Sequence, residues 1–234
     1  MKQVFCSMLI GVVLVACISV VGAVGREQAA MNAGSFQSSD PTEGLGCEAG
    51  TGVSGCLRQH EASAAAQHGI ELSRTARAFC LASSIGEACL PAHDRLAYAF
   101  LERVGGHYVV VEVFDQEGFE VLLLDPGAGR KHRIDNRPLF SPDGSVFATV
   151  SYDIDAGYGP NRVAIWDPVT GEVLHQVDRF APGSGPVGIR WVAPAKLEVL
   201  YHLPRDEPGS SPLNTFDISS RAHSWADNHA EVSP

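Results

Sequence analysis

Asp153 and Asp155 stand two residues apart in the run Asp153-Ile154-Asp155-Ala156-Gly157-Tyr158-Gly159-Pro160-Asn161. Carboxylates at i and i+2, followed by glycines that permit tight curvature, resemble the opening of a calcium loop, where a hard cation takes oxygen ligands. The twelfth position from Asp153 is Ala164, not the Glu on which such a loop closes. The segment therefore reads first as a solvated connection and only second as a calcium site. Tyr152 and Tyr158 add amphipathic contact surface. Tyr152, Asp153, Asp155, Tyr158 and Asn161 together make a candidate binding loop, since connections carry recognition more often than sheets do.

Other residue types hint at chemistry and fall short of a pattern. His107, His132, His175, His202 and His223 lie on or beside expected strands, with no HxH or HExxH spacing that would hold a metal. Asp115, Glu117 and Glu120 surround an expected hairpin; a carboxylate pair of this kind suits glycoside chemistry, but exposed turn acids are commoner. Trp166, Trp191 and Trp225 invite a sugar-platform reading, although one Trp per repeat is better explained by packing between sheets. Gly183-Ser184-Gly185 lacks the nucleophile-elbow spacing, and neither a P-loop nor a dinucleotide fingerprint occurs. No catalytic residue and no cofactor is assigned on these grounds.

Cys47, Cys56, Cys80 and Cys89 form two pairs with equal internal spacing. Four cysteines allow three connectivities; the equal spacing favours local pairing, Cys47–Cys56 and Cys80–Cys89. Without a C-x-x-C, zinc is the weaker reading.

The elements that must carry these residues are announced by a repeated phrase. Val121-Leu122-Leu123-Leu124-Asp125-Pro126 is echoed by Val163-Ala164-Ile165-Trp166-Asp167-Pro168 and, more weakly, by Leu213-Asn214-Thr215-Phe216-Asp217. The aspartates are 42 and 50 residues apart, a period that means stacked or radial units of about four strands each. Each Asp is expected to close the third strand of its unit. Strand signals are dense from Leu90 onward, with β-branched and aromatic runs between Gly-containing turns. Ser141-Pro142-Asp143-Gly144 is a turn with a mechanism, Pro fixing one φ and Gly accepting a positive one. Val192-Ala193-Pro194-Ala195-Lys196 occupies its place in the third unit, and Leu90-Pro91-Ala92-His93-Asp94 is a worn version in the first. Ahead of the strands, Leu57–His68 predicts a short helix stopped by Gly69. Ile70–Leu81 is ambiguous and leans towards strand.

Phe140-Ser141-Pro142-Asp143-Gly144, followed by an apolar strand, Trp166-Asp167 and Thr170-Gly171, resembles a WD-repeat or TolB-like β-propeller blade. The resemblance is good over residues 138–178 and faint over 90–134 and 187–226. It implies that Ser151 and Trp166 belong to the hydrogen-bond network of such blades, whose Gly-His dipeptide is missing here. The chain is also similar to small exported bacterial WD-like proteins. The expected fold is mainly β: about three four-stranded antiparallel propeller-like blades, an open or incomplete propeller, with a short N-terminal helix. Three units do not close a ring, since propellers typically have four to eight blades. Ile70–Leu81, the N-terminal tether, a second copy or a partner would cover the open flank.

The N-terminus reads as an export signal, with Lys2 ahead of an apolar stretch over Val4–Val24. Leu14-Val15-Ala16-Cys17 resembles a bacterial lipobox, which implies lipidation at Cys17. Val21-Gly22-Ala23 fits ordinary cleavage instead, and an uncleaved anchor is the third outcome. The expected organisation is 1–25 signal peptide, 26–55 flexible linker, 56–226 β-propeller-like domain and 227–234 tail. The expected location is the periplasm or cell envelope, lipid-anchored or secreted, which also suits disulfides.

The 234 residues carry a formal net charge of −10 with scattered Lys and Arg, so a phosphate backbone finds no basic face to bind. Nucleic acid is excluded as a partner, and membrane contact is expected through the N-terminal anchor only. The function that follows is a non-catalytic binding or scaffold module of the cell envelope. It would act on a protein or peptide partner, or on itself, through loops and a sheet edge. An envelope hydrolase acting on glycans or peptides is the competing reading.

Overall fold

The computed structural model describes residues 36–38, 53–114, 119–153, 160–203, 213–221 and 224–227. Helix α1 (Val53–Gln67) precedes a run of antiparallel strands. The first sheet is β2 (Glu71–Arg74), β3 (Ala78–Ser83) and β4 (Gly86–Pro91), and the second is β5 (Ala97–Val104), β6 (Tyr108–Phe114), β7 (Phe119–Asp125) and β8 (Arg130–Ile134). The third runs β9 (Leu139–Phe140), β10 (Phe147–Ser151), β11 (Arg162–Trp166) and β12 (Val173–Val177). The fourth is β13 (Gly185–Ala193), β14 (Lys196–His202), β15 (Leu213–Arg221) and β16 (Ser224–Asp227), with β1 (Gln37–Ser38) added on the β13 side.

The sheets stack in chain order because strand side chains alternate between faces. In β6, Val109, Val111 and Val113 enter the core shared with the first sheet and α1, whereas Val110 enters the core shared with the third. In β7, Leu122 and Leu124 face one way, Val121 and Leu123 the other. The third sheet repeats the device: Phe147, Ala164 and Trp166 pack towards the second sheet, while Ala148, Val150, Val163 and Ile165 pack towards Ile189, Leu197, Val199 and Ile218 of the fourth. Strands buried on both faces lose the polar half of the alternation, which explains the unbroken apolar run Tyr108–Val111.

The result is an open, mainly β, propeller-like stack. Its second, third and fourth sheets contain the three expected units. The first sheet is a fourth element: the Ile70–Leu81 segment does form strand, pairs with β4, and with α1 covers the outer face of the second sheet. Gly69 ends α1 with φ +62 as expected. The segment expected to be a tether contributes β1 to the fourth sheet and the first residues of α1.

The recurring aspartates resolve into a local mechanism. Asp125 ends β7, and its carboxylate accepts the Ala128 N–H (3.0 Å) and the Arg130 guanidinium (2.5 Å). Asp167 follows β11 and accepts the N–H groups of Val169 (2.7 Å) and Thr170 (3.1 Å). Each turn then needs a left-handed residue, Gly129 at φ +66 and Gly171 at φ +72. Asp217 departs from this scheme: it lies within β15, opposite Glu198 and ion-paired to Lys196 at 2.7 Å. The third copy therefore keeps the strand and has lost the turn. Leu90–Asp94 is also corrected. It leads from β4 into β5, between sheets, and Gly105-Gly106 stands in the second sheet where Ser141–Gly144 stands in the third.

Cys80 and Cys89 are bonded directly across β3 and β4, on the face of the first sheet turned away from its core. Cys56 is also disulfide-bonded; Cys47 lies outside the described residues. Replacing both Cys80 and Cys89 with Ser is expected to lower the unfolding free energy by about 2.5 kcal/mol through lost loop-closure entropy, read as a shift in the urea midpoint.

Candidate functional site

The strand ends that flank the second-to-third-strand connections are Phe114 and Phe119, Ser151 and Arg162, and His202 and Leu213, paired across their sheets. Of the candidate loop, Asp155 and Tyr158 lie outside the described residues, whereas Tyr152, Asp153 and Asn161 are placed. The Tyr152 ring sits 5.8 Å from the His202 ring of the neighbouring sheet. Asn161 donates Nδ2–H to the Ser184 carbonyl at 3.0 Å, and its Oδ1 is buried without a hydrogen-bond partner. Gly185 lets this cluster close up: a Cβ there would meet Asn161 Oδ1 at 2.3 Å and the Tyr152 ring at 2.7 Å, so those side chains would have to shift. His202, which carried no pattern in the sequence, is thus brought beside the candidate loop, with its Nδ1 buried and unpartnered.

The outer edges of the sheets differ in how they are guarded. β8 reads Arg-Lys-His-Arg-Ile, β2 carries Glu71 and Arg74, and β16 ends on Asp227. Charged residues of this kind block edge-to-edge pairing. β12 reads Val-Leu-His-Gln-Val, with no Asp, Glu, Lys, Arg or Pro. Among the described residues it hydrogen-bonds as a strand with β11 alone, and β16 of the fourth sheet packs near it. Val173 and Leu174 are 39% and 44% exposed, and Val169 in the preceding turn is 53% exposed. Its one titratable side chain, His175, lies 3.4 Å from Asp227. At its far end Gln176 accepts from Arg162, which also clamps Asp135 at 2.6 and 2.7 Å. That hydrogen bond carries Arg162's guanidinium above its usual range, with the desolvation cost outweighed.

Trp166 is 5% exposed and donates Nε1–H to Thr149 at 2.9 Å, and Trp191, also 5% exposed, donates to the Leu139 carbonyl at 2.9 Å. Both pack between sheets, and Trp225 meets Trp191 edge-on. The Trp166 partner is Thr149 in place of the expected Ser151. Trp166 pairs with Phe147, so the diagonal neighbour Thr149 is within reach, while Ser151 lies opposite Arg162 at the other end of the strand pair. Ser141 donates to Asp143 and takes the Val146 N–H, locking the Ser-Pro-Asp-Gly turn. Burial raises the Asp143 carboxyl, but hydrogen bonds from Ser141 and Ser145 outweigh it and hold the group low.

Glu120 is ion-paired to Arg133, and Asp115 and Glu117 lie outside the described residues. Among the described residues, the histidines do not converge; the group with metal-ligand proximity is Cys80, Glu87 and Cys89, whose sulfurs are joined in the disulfide. The acid that sequence reasoning missed is Glu112 of β6, fully buried, with neither carboxylate oxygen hydrogen-bonded. Burial pushes its carboxyl up to about 8 against the pull of Arg137.

No family model matches this chain, and no curated protein matches it. Among solved structures it is similar to Kluyveromyces lactis Hsv2. The complete loop 6CD form gives 11% identity over 68% of this chain and 73% of that one, with a TM-score of 0.31. Another Hsv2 structure gives 12% identity over 68% and 72%, with a TM-score of 0.30. Likenesses this distant convey nothing about ligand or role.

Proposed function

We propose that this chain is a non-catalytic binding module of the cell envelope, a relative of WD-repeat or TolB-like propellers, that takes an extended peptide segment of a partner protein along β12. The observation that carries the reading is the edge itself: of the last strands of the second, third and fourth sheets (β8, β12 and β16), β12 is the one with no formally charged residue, and Val173 and Leu174 stand exposed on it beside Val169. A free strand edge supplies backbone N–H and C=O groups for an added strand, and alternate side chains supply selectivity. The Tyr152–Asn161 connection joins the same sheet at the end to which β12 leads, a second contact surface for the same partner. Export through the N-terminal signal, with anchoring at Cys17, would place the module where such partners are met.

The test is site-specific photocrosslinking at Leu174 in the native envelope, with Val192, an equally exposed residue on the fourth sheet, as the reference site. A discrete adduct at Leu174 that disappears in Val173→Lys is the expected outcome. Equal labelling at Val192 would overturn the reading, and an adduct with a second copy of the chain would replace the peptide partner with self-association.

A further inference from the structure

A concavity lies beside the first sheet, between α1, the β2–β3 turn and the β4–β5 connection, with a volume of about 350 Å³. That is the lower end of the range of small-molecule sites. Its inner wall is apolar. Phe79 and Tyr98 stack nearly parallel with centroids 5.8 Å apart, and Leu96 adjoins them. The Tyr98 hydroxyl is already spent on the Pro91 carbonyl at 3.0 Å, so only its ring serves the cleft.

The polar groups around this wall are unequal in sign. Among the described residues Glu61 is the one acid in the lining, and its carboxylate is engaged on both oxygens. Oε1 accepts from the Phe100 N–H at 2.7 Å, and Arg74 Nη2 lies 2.5 and 2.6 Å from the two oxygens. Arg74 also lies over the Phe79 ring at 4.1 Å. With that pair neutralised, Arg58 leaves the described part of the lining net positive, in a chain whose formal charge is −10. His93 adds a donor: its Nδ1 accepts the Arg95 N–H at 3.2 Å, so the ring proton of the neutral imidazole sits on Nε2. The cleft thus combines an apolar wall, one uncompensated guanidinium and one N–H donor, with its carboxylate withdrawn.

We propose that this cleft binds a small organic monocarboxylate with a compact apolar body, the carboxylate meeting Arg58 and His93 and the body lying against Tyr98 and Leu96. Arg is suited to the carboxylate because its planar fork matches the two oxygens. A phosphate dianion would leave the apolar wall unused. The site is independent of β12, which belongs to the third sheet, so either reading can fail without the other.

The experiment titrates the full exported chain calorimetrically with phenylacetate, with phenylacetamide as the uncharged counterpart and inorganic phosphate as a bare anion. Saturable phenylacetate binding is expected, about tenfold tighter than the amide, a difference of about 1.4 kcal/mol. Arg58→Ala should remove that preference, and Arg179→Ala, an exposed arginine on the third and fourth sheets' side of the molecule, should leave it intact. His93→Ala should weaken binding with Arg58 in place. No saturable binding, equal affinity for acid and amide, phosphate binding as tightly as phenylacetate, or equal losses in Arg58→Ala and Arg179→Ala would each overturn the proposal.

Discussion

Glu112→Gln is expected to stabilise the protein by about 4–5 kcal/mol at pH 9 and to leave it nearly unchanged at pH 4.5. In the folded protein the carboxyl titrates at about 8, against 4.5 for its ordinary value, and each pKa unit is worth about 1.4 kcal/mol. Between these values the native state holds a proton that the unfolded chain has released. Unfolding therefore sheds a proton, and stability falls as pH rises through the window, with the loss complete above about 8. Below pH 4.5 both states are protonated and the penalty is absent. Gln keeps the size of the protonated acid and cannot ionise, so the slope should vanish in the variant. Urea melts of the two proteins at pH 5, 7 and 9 check this; parallel curves across the range would place the pH dependence on other groups.

Phe147→Ala should cost about 3–5 kcal/mol, the usual range for emptying a large buried aromatic site, and it should also split the unfolding transition. Phe147 is fully buried, stacks on Trp166 at 6.0 Å and touches Phe140 at 5.3 Å. It is the largest fully buried side chain in the core joining the second sheet to the third. In a linear stack each layer packs on its neighbours alone, so stability is close to a sum of layer and interface contributions. Weakening the middle interface should let the first two sheets outlast the last two, or the reverse. Trp166, Trp191 and Trp225 all belong to the third and fourth sheets, so tryptophan fluorescence reports that half and far-ultraviolet circular dichroism reports the whole. Coincident transitions in the unsubstituted protein that separate in Phe147→Ala are the expected result. Coincidence in both would mean a single cooperative unit.

How far these features were legible depended on how local their causes are. The strands of the second and third sheets announce themselves because β-branched residues, alternation and Asp-x-x-x-Gly turns all act within a few residues. The pairing of Cys80 with Cys89 was readable for the same reason. The first sheet was half hidden: Ala78–Pro91 is rich in Ala, Cys, Ser and Gly, which dilute the strand signal of Phe79, Leu81 and Leu90, and its packing on Tyr98, Phe100 and Val109 decides the matter. β1, two residues long, has no period to detect. The third Asp misled because the same phrase sits inside β15, four residues short of its end, where no turn follows it. Glu112 was invisible in a different way: in the alternation of β6 it looks like a solvent-facing residue, and it becomes unusual only when the third sheet closes over it. The cleft between α1 and the β4–β5 connection joins residues from Arg58 to Tyr98 that no spacing rule links.

The pairing of Gln37 and Ser38 with Ile189 and Gly188 also sets an order of events. A ribosome delivers residue 37 about 150 residues before its partner strand exists; closing a flexible loop that long would cost about 4 kcal/mol in chain entropy, a cost that shrinks once the intervening sheets have folded. The first three sheets can condense as they emerge, each on the last, while this leading strand waits with its backbone groups unmatched. Completion is therefore a final, late-arriving stitch: the earliest residues of the folded part to be made are the last to be placed, and a chain interrupted before Gly188 would carry a loose leading strand on an otherwise ordered stack.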